Sequence, residues 1–567
     1  MNCSSKSLGA YYTPHLIASA LANWSIRSSQ DRILEPGFGK CGFVAAALEA
    51  LRGRGCSHPE RRIFGVEIDR DAFLSSKAII AAGARQGQFL EADFLELAPD
   101  AFCGRSFDAI VGNPPYVRHH ELKGVRRYNA DLVSQSSGIK IAGRASYWAY
   151  FVAHALSFLT VGGRLALVLP GAFLHADYAS HLRSEIVKRF RHTRVVLLGE
   201  RVFPDAQEQS VILLGDCFGH PSQGCTVSVA RDVAELRGLL KLAPYGGTHR
   251  SEYGEDRDWL KAVLSTETLT LLARLRKTRL TQTLGEFCDI RIGTVTGANQ
   301  FFIVSPDRRD SLRIPETWLR PILSRSSLLE GLCFDDDNWN EILTAKNLPC
   351  LLLDTSAHES LSTPVQQYLD EGVKSGTNKR FKCRSRHPWH RVPVCPPPSA
   401  FFLYMTAHQP RLILNRSQVT CTNAIHTVRW RCPIGTPEES SIVVSMLSTL
   451  SQLSAELVGR SYGGGVLKLE PSEARRIELV MHHGGFPDAS DVMKVVDAEM
   501  RGFKRRDVTA LVDEEVLRKH LGLSSREIGS LRADLELLRQ IRLGSRNGRS
   551  GKARSDPSHD APAWHRG

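Results

Sequence analysis

The feature that most constrains the fold is an alternation of short apolar runs and amphipathic segments over residues 1–245. Runs rich in β-branched residues predict strands at 32–34, 62–66, 88–90, 108–111, 164–169, 194–198 and 210–214. Segments with helical apolar spacing lie among them at 44–51, 71–82 and 145–159. Such alternation is typical of a doubly wound, mainly parallel α/β sheet. These sheets bind ligands beyond the carboxyl ends of their strands, where the strand order reverses.

The remaining chain has other patterns, which predict four further segments. Residues 246–280 begin with a polar stretch and end with helical spacing, as expected of a linker and a connecting helix. Residues 281–507 mix strand-like pieces with Pro-rich loops, which indicates a second domain of mixed α+β type. Residues 508–544 predict a C-terminal helical segment, and the Gly/Ser/Arg/Pro-rich tail at 545–567 is expected to be disordered.

Composition bounds the class of protein. The 567 residues are 42% apolar, enough for the cores of more than one globular domain. No run approaches the ~18 apolar residues of a membrane helix, and the N-terminus has no apolar signal core, so we expect a cytoplasmic protein. The thirteen cysteines include no CxxC pair and no zinc-like Cys/His spacing. Reduced thiols, and no metal site, are therefore expected.

The distribution of charge points to a polyanionic partner. The formal net charge is +13, and residues 372–437 contain eleven Lys or Arg with no Asp or Glu. A stretch without carboxylates favours a surface that faces phosphates, although a merely solvated basic surface stays open at this point. We select Lys379, Arg380 and Lys382 as candidate phosphate contacts.

A glycine-rich turn after the first predicted strand indicates a nucleotide-binding site. Glu35 and Pro36 precede Gly37 and Gly39, which begin a GxGxxG pattern that allows close backbone approach to a ligand. Glu67 ends the second predicted strand, where an acid can hold two ribose hydroxyls. These features fit NAD as readily as S-adenosylmethionine.

Three observations favour S-adenosylmethionine. Glu35 places an acid beside the expected position of a cationic methionine moiety. Asp93 and Phe94 end the third predicted strand, where a carboxylate can accept from an adenine amino group and a ring can stack on the base. The third observation is the sequence that follows strand four, Asn113-Pro114-Pro115-Tyr116.

This NPPY sequence suits the methylation of a planar amine. An exocyclic amine is a poor nucleophile because its lone pair is delocalised into the ring. Two acceptors, the Asn113 side-chain oxygen and the Pro114 carbonyl, can take its two N–H hydrogens and expose the lone pair. Pro114 and Pro115 keep the backbone rigid, and Tyr116 offers a face on which a base can stack. In-line attack on a sulfonium methyl group then requires no metal or covalent intermediate.

The chain resembles the N6-adenine-specific DNA methyltransferases of the gamma arrangement, the modification methylases of type II restriction–modification systems. NPPY is similar to their signature, and the segments EPGFGKCGF, GVEID, EADFL and GNPPY follow in the family's order. The resemblance implies roles for Thr13 and Pro14 in cofactor binding and for Phe203 against the extruded base. IRIGTVTGANQFFIV resembles the entry to a target-recognition domain, which implies DNA contacts by Thr296, Gly297 and Asn299.

The resemblance also implies an organisation and an activity. Residues 1–245 are expected to form a Rossmann-like S-adenosylmethionine-dependent catalytic domain, and residues 281–507 a target-recognition domain. The expected enzyme is a monomeric, site-specific adenine methyltransferase that flips its target base out of double-stranded DNA. It would protect host DNA from a separate restriction endonuclease. A fused nuclease is not expected, because the catalytic motifs begin near residue 7 and no nuclease array is found downstream.

Four other functions remain alternatives. An NPPY enzyme can methylate RNA or a glutamine amide in a protein, although the basic stretch and the long second half disfavour a protein substrate. A non-catalytic DNA-binding protein would leave NPPY and the three acids without a purpose. NAD-dependent redox chemistry would explain the glycine turn alone.

Overall fold

The structure is a computed structural model in which two compact units are described. It describes residues 13–80, 85–102, 104, 106–117, 119–141, 145–199, 210–242, 250–251, 259–433, 435–462, 465–481, 485–502 and 507–543. The first unit extends to Leu264 and includes the short segment from Arg460 and the end of the last helix from Leu537. The second unit spans Ser265–Gly459 and Val466–Glu536.

The first unit is built on one nine-stranded sheet. Its strands are β1 Ile33–Glu35, β2 Ile63–Glu67, β3 Phe89–Glu91, β4 Phe107–Gly112, β5 Leu159–Pro170, β6 Phe190–Leu198, β7 Ser210–Phe218, β8 Cys225–Ala230 and β9 Arg250–Ser251. They lie in the order β3-β2-β1-β4-β5-β7-β6-β8-β9. The pairs from β3 to β5 are parallel, while β7 runs antiparallel between β5 and β6.

Helices of the first unit connect the strands and cover the sheet. They are α1 His15–Ser25, α2 Gly42–Arg52, α3 Arg70–Ile80, α4 Val125–Ser136, α5 Tyr147–Ala155, α6 Ala172–His175, α7 Ser180–Arg189 and α8 Val233–Lys241. The side chains of α1 and α2 form one buried cluster with Ile63, Val111 and Val168. Because neighbouring strand residues point to opposite faces, Phe64 lies on the other face, where it packs edge-on against Phe107 at 5.2 Å. This two-faced sheet confirms the predicted α/β class.

The second unit mixes short strands and helices. Up to β20 its elements are α9 Thr266–Lys277, β10 Thr281–Thr283, α10 Leu284–Phe287, β11 Cys288–Ile292, α11 Asn299–Phe302, β12 Ile303–Val304, α12 Pro306–Ser311, β13 Leu319–Leu323, β14 Cys333–Phe334, α13 Asp336–Asn340, β15 Leu351–Leu353, α14 Thr363–Lys374, α15 Phe381–Arg384, β16 Ala400–Leu403, β17 Met405–Thr406, β18 Arg411–Asn415, β19 Thr420–Cys421 and β20 His426–Trp430. After β20 follow α16 Thr436–Ser445, α17 Thr449–Val458, β22 Val466–Lys468 (which follows β21 Arg460–Tyr462 of the first unit), α18 Pro471–Ala474, β23 Glu478–Val480, α19 Ala489–Arg501, α20 Val508–Val512 and α21 Ser525–Leu543, whose end from Leu537 belongs to the first unit.

Two sheets form the centre of the second unit. One has five strands in the order β11-β20-β16-β18-β14, and the other has four in the order β12-β15-β13-β19. Between them lies a core that includes Trp318, Leu353, Phe401 and Ile413. This arrangement agrees with the predicted mixed α+β type.

The predicted domain limits remain predictions. The unit boundary after Leu264 falls within the segment 246–280, most of whose polar part lies outside the described residues, as does the tail at 545–567. In the described ranges no single helix is long and apolar enough to cross a membrane. Helices α16 and α17 meet that test only together, across a bend of 66°.

Candidate active site

The strand order of the first unit reverses between β1 and β4, and the predicted acids gather there. Glu35 is the last residue of β1 and Glu67 the last of β2, while Asp93 lies two residues beyond β3. Asn113 directly follows β4. A β-carbon built on Gly112 would lie 3.9 Å from Cγ of Glu35, so the ends of β1 and β4 are neighbours. The structure therefore places all four side chains at one edge of the sheet, where doubly wound proteins bind ligands.

The turn between β1 and α2 needs glycine for conformational reasons. Gly37 has a φ of +149°, which L side chains rarely adopt, and a β-carbon there would lie 3.5 Å from the ring of Phe151. Pro36 before it is buried. The backbone carbonyl of Thr13 would lie 3.8 Å from a β-carbon on Gly42, the first residue of α2, so Thr13 lies at the start of that helix.

Pro14 lies at the N-cap position of α1. It is exposed, and its carbonyl accepts hydrogen bonds from the backbone N–H groups of Ile17 and Ala18 at 3.0 and 3.1 Å. Its predicted role in cofactor binding stays a prediction.

Glu35 is a buried carboxyl group whose hydrogen bonding is incomplete among the described residues. It is 3% exposed, and its Oε2 has no hydrogen-bond partner among the described residues. Burial raises the pKa of Glu35 well above 4.5, the backbone N–H of Val44 partly counters it, and the negative charge of Glu67 adds to the increase. A cation or donor at Oε2 would relieve this unfavourable burial.

Glu67 is held in a fixed orientation by two backbone donors. The N–H of Gly39 donates to Oε2 at 2.7 Å, and the N–H of Asp69 donates to Oε1 at 2.8 Å. Each carboxylate oxygen can accept a further hydrogen bond. Glu67 therefore presents two oriented acceptors, as required for a pair of neighbouring hydroxyls.

One carboxylate oxygen of Asp93 accepts hydrogen bonds, and the other has no hydrogen-bond partner among the described residues. Its Oδ1 accepts from the N–H of Leu95 at 3.0 Å and from the hydroxyl of Tyr147. Its Oδ2 is buried without a hydrogen-bond partner among the described residues, and Nε of Arg126 lies 4.0 Å away. Tyr147 and Leu95 thus orient the carboxylate so that Oδ2 remains available as an acceptor.

The ring of Phe94 belongs to an aromatic cluster. It is 3% exposed, and its centroid lies 4.8 Å from that of Phe151 and 5.1 Å from that of Phe158. This packing fixes the segment after β3. Stacking of Phe94 on an adenine stays a prediction.

The buried acceptors fit the predicted cofactor. Besides Glu35 and Asp93, Thr13 has a buried hydroxyl without a hydrogen-bond partner in the described part of the chain. S-adenosylmethionine carries a sulfonium, an ammonium, two ribose hydroxyls and an adenine amino group. Buried acceptors that lack partners are costly unless a donor reaches them, and this cofactor is rich in donors and positive charge.

The NPPY loop is fastened to the sheet and to helix α5. The hydroxyl of Tyr116 donates to the carbonyl of Val168 on β5 at 3.4 Å. The N–H of Tyr147 donates to the carbonyl of Val117 at 3.0 Å. Pro114 is buried, while Asn113 and Pro115 are half-buried like Tyr116. The loop is therefore held at both sides by regular structure, which suits a preorganised site.

Phe203 lies outside the described residues, so its predicted contact with an extruded base stays a prediction. Beyond the NPPY loop, Nδ1 of His119 forms a hydrogen bond of 3.0 Å with Nη1 of Arg127. This contact engages His119 in local structure.

In the second unit the structure joins the TGAN turn to the basic stretch. Arg386 donates to the carbonyls of Thr296 and Val295 at 2.7 and 2.5 Å. Gly297 has a φ of +81°, and a β-carbon there would lie only 2.7 Å from Cβ of Lys382. The turn therefore packs closely against α15, although about 85 residues separate them in sequence.

Within the turn, Thr296 is used internally. It is fully buried, its hydroxyl bonds to the side-chain oxygen of Asn299, and it accepts from the N–H of Ala298 at 3.1 Å. By contrast Lys379, Arg380 and Lys382 are exposed, as candidate phosphate contacts must be. Contact of the turn and of these cations with DNA stays a prediction.

Sequence reasoning missed Tyr147 and Arg126, which both approach Asp93. Tyr147 begins the aromatic-rich helix YWAYF, and that run was a signal for a packed helix beside the site. Neither residue lies near Asp93 in sequence, so only the folded chain identifies the contact.

Both halves of the chain match known protein families. The sequence model of the N-6 DNA Methylase family matches residues 1–215, and that of the C-terminal domain of the type II methyltransferase M.Eco57I matches residues 256–517. The type II methyltransferase M.AccI of Acinetobacter calcoaceticus is 22% identical over 485 residues, which cover 83% of this chain and 85% of the relative. M.XamI of Xanthomonas campestris pv. amaranthicola is 24% identical over 482 residues, with coverages of 83% and 85%.

Among solved structures, the type IIL restriction–modification enzyme MmeI in complex with DNA is similar, with a TM-score of 0.52 and 11% identity. The match covers 94% of this chain and 73% of that one, and at this identity it shows the fold alone.

The two family matches follow one another along the chain, and both relatives align across most of its length. The resemblance drawn from the sequence is thereby confirmed. The chain belongs to the type II DNA methyltransferases of restriction–modification systems, with an N-6 DNA methylase region followed by a C-terminal region of the M.Eco57I type.

Proposed function

We propose that this methyltransferase transfers a methyl group from S-adenosylmethionine to N6 of adenine at a specific site in double-stranded DNA. The observation that carries the proposal is the gathering of Glu35, Glu67, Asp93 and the NPPY loop at the switch point of one sheet. Three acids are thus set to bind a cationic nucleoside, beside a loop that is set to bind an amine.

Each residue that would hold the cofactor would bind a different part of it. Glu35 would face the charged methionine end, Glu67 the ribose hydroxyls and Asp93 the adenine amino group. The glycine turn at Gly37 and Gly39 would allow the close approach of the ligand, with Thr13 at the start of α2. When bound, S-adenosylmethionine supplies a methyl group that is activated by its attachment to a sulfonium.

The NPPY loop would prepare the amine. The side-chain oxygen of Asn113 and the carbonyl of Pro114 accept its two N–H hydrogens, so that the nitrogen lone pair is released from the ring. Tyr116 stacks on the base, with its hydroxyl fixed to Val168. With the cofactor bound, the nitrogen would take the activated methyl group, the sulfur would keep the electron pair of the broken carbon–sulfur bond, and the surplus proton of the amine would leave to water. Because the amino group is paired inside a duplex, the base must be flipped out to reach this loop.

The second unit would read the target site. The cluster of the TGAN turn and the exposed cations on and beside α15 is suited to phosphates, which position a protein on a duplex. We further propose that the enzyme acts as a monomer in the cytoplasm and protects host DNA from a separate endonuclease that recognises the same site.

The direct test is methyl transfer from labelled cofactor to duplex DNA, followed by analysis of the modified nucleoside. We expect N6-methyladenine at one sequence. Label on RNA alone, or on a glutamine amide of a protein alone, would contradict the proposal and favour one of the two other planar-nitrogen substrates.

A variant tests the loop separately. Asn113→Ala should reduce transfer by at least about a hundredfold, because one of the two acceptors that prepare the amine is lost. Cofactor affinity, measured by calorimetry, should remain. The exposed Asn23, whose side chain bonds to Ser19 of α1 and to Arg54, provides the matched control Asn23→Ala, for which we expect unchanged turnover. Near-normal transfer by Asn113→Ala would refute the acceptor role.

A further inference from the structure

One aromatic side chain stands out on the surface of the second unit. Phe381 is 69% exposed, the highest exposure among the large apolar side chains that the structure describes in that unit. A single exposed apolar ring is ordinary by itself, so its significance depends on the side chains around it. Phe381 is the first residue of α15, within the stretch 372–437 that lacks Asp and Glu.

Positive charges flank the ring on the same short helix. Nζ of Lys382 lies 5.6 Å, and Cζ of Arg384 5.4 Å, from the ring centroid, at cation–π distance. Lys379 and Arg380 precede it, and all four cations are exposed. In the described part of the chain none of these four forms an ion pair with a carboxylate. The patch thus combines a flat apolar ring with charge that is left for a polyanion.

The ring also sits on a fixed base. Cys383, in the same helix, is fully buried, and the nearby Arg386 is bonded to the carbonyls of the TGAN turn. A residue held in this way enters a partner without a large loss of conformational entropy. A mobile loop would have to be ordered first.

Nucleic acid is the partner that matches both properties. Its phosphates pair with the cations, and the gaps between its stacked bases accept an apolar side chain, as in proteins that wedge Phe or Leu into a base step and kink the duplex. An acidic protein would satisfy the charges but has no regular slot for a lone ring.

We infer that Phe381 inserts between neighbouring bases of the bound duplex, while Lys382 and Arg384 hold the phosphates on either side. This inference rests on the proposed function and deepens it, because it identifies how the second unit engages DNA. The inserted ring reads the deformability of a base step, a property that varies with sequence.

The test compares Phe381→Ala with Phe381→Tyr on a duplex that carries the site found by mapping methylated adenines. Phe381→Ala should lower affinity about ten- to hundredfold, whereas Phe381→Tyr, which keeps a ring, should stay near the wild type. The salt dependence of binding should have the same slope in both variants, because no phosphate contact is lost. Lys382→Ala should instead reduce that slope by about one.

A second readout locates the ring. 2-Aminopurine placed at successive positions should brighten at two positions, the target adenine and the step that Phe381 enters. In Phe381→Ala the second signal should vanish and the first should persist. DNA bending, measured by energy transfer between end labels, should also be smaller in Phe381→Ala than in the wild type.

Two outcomes would overturn the inference. One is that Phe381→Ala binds and bends DNA as the wild type does. The other is that Phe381→Ala loses as much affinity for polyglutamate as for DNA, which would show that the surface recognises negative charge alone. Failure of the wild-type protein to bind or methylate duplex DNA would instead refute the proposed function. The two failures are therefore distinguishable.

Discussion

Two neighbouring carboxyl groups at the switch point should respond in opposite directions when each is changed to its amide. Glu35 is buried with one oxygen that lacks a hydrogen-bond partner among the described residues, and burial raises its pKa. Glu35→Gln therefore removes a group whose ionisation the cofactor-free protein stabilises poorly. Glu67 accepts two backbone hydrogen bonds, so Glu67→Gln turns one acceptor into a donor that faces an N–H.

The size of both effects follows from the cost of unsatisfied buried groups. A neutral buried donor without a partner costs about 1–3 kcal/mol, and a charged group costs more. We expect Glu35→Gln to raise the free energy of unfolding by about 1–3 kcal/mol at neutral pH, and Glu67→Gln to lower it by about the same amount. For a unit of this size each kcal/mol moves the melting temperature by about 2–4 °C.

The pH dependence has a definite sign. Because the pKa of Glu35 is raised above 4.5 in the folded state, the unfolded chain loses this proton at a lower pH than the folded protein does. That ionisation stabilises the unfolded state relative to the folded state. The advantage of Glu35→Gln should therefore be absent below pH 4.5, grow as pH rises through the interval between the unfolded and folded pKa values, and then level off.

Melting curves by circular dichroism, recorded without cofactor at several pH values, would measure these differences. Both variants should bind S-adenosylmethionine more weakly in calorimetry, so its addition should raise the melting temperature of the wild type most. If Glu35→Gln destabilised the cofactor-free protein as Glu67→Gln does, the interpretation of Glu35 as an unsatisfied acceptor would be refuted.

Three further predictions concern other parts of the structure. Gly297→Ala and Gly522→Ala each place alanine at a positive φ, +81° and +66°, which should lower the free energy of unfolding by about 1–2 kcal/mol. Only Gly297→Ala also brings the new β-carbon to 2.7 Å from Cβ of Lys382, so only this variant should weaken DNA binding in a filter assay. Tyr147→Phe removes a hydrogen bond to the carboxylate expected to bind the cofactor adenine, so KM for the cofactor should rise several-fold with kcat little changed, and a fall in kcat alone would contradict this role. Asp216→Asn breaks a bidentate pair with Arg164, whose two bonds measure 2.7 and 3.1 Å, and should cost about 3 kcal/mol. Burial raises the pKa of Asp216, but the bonds and charge of Arg164 bring it below 3.8, so this stabilisation should be complete above pH 3.8 and shrink in denaturant titrations as pH falls through the lowered pKa.

The residues of the predicted cofactor and amine sites could be found from the sequence because a rule of topology brings them together. Glu35, Glu67, Asp93 and Asn113 each follow a predicted strand, and parallel strands have their carboxyl ends at one edge of a sheet. Knowledge of local pattern was therefore sufficient to place them near one another. The orientation of each group was not available: that Glu67 is held by two N–H groups while Glu35 has an oxygen without a partner depends on neighbours from other elements.

What the sequence by itself determined is the α/β class, the approximate positions of seven of the nine strands described in the first unit's sheet, and the identity of the chemical groups that follow them. Hydrophobic periodicity and turn residues act within a few positions of the chain, so they can be recognised in the sequence alone. Only the tertiary structure decided that β7 runs antiparallel between β5 and β6, that Tyr147 supports Asp93, and that Phe381 stands exposed beside the TGAN turn. These contacts join segments far apart in sequence, and their formation depends on the packing of the whole unit rather than on any local pattern.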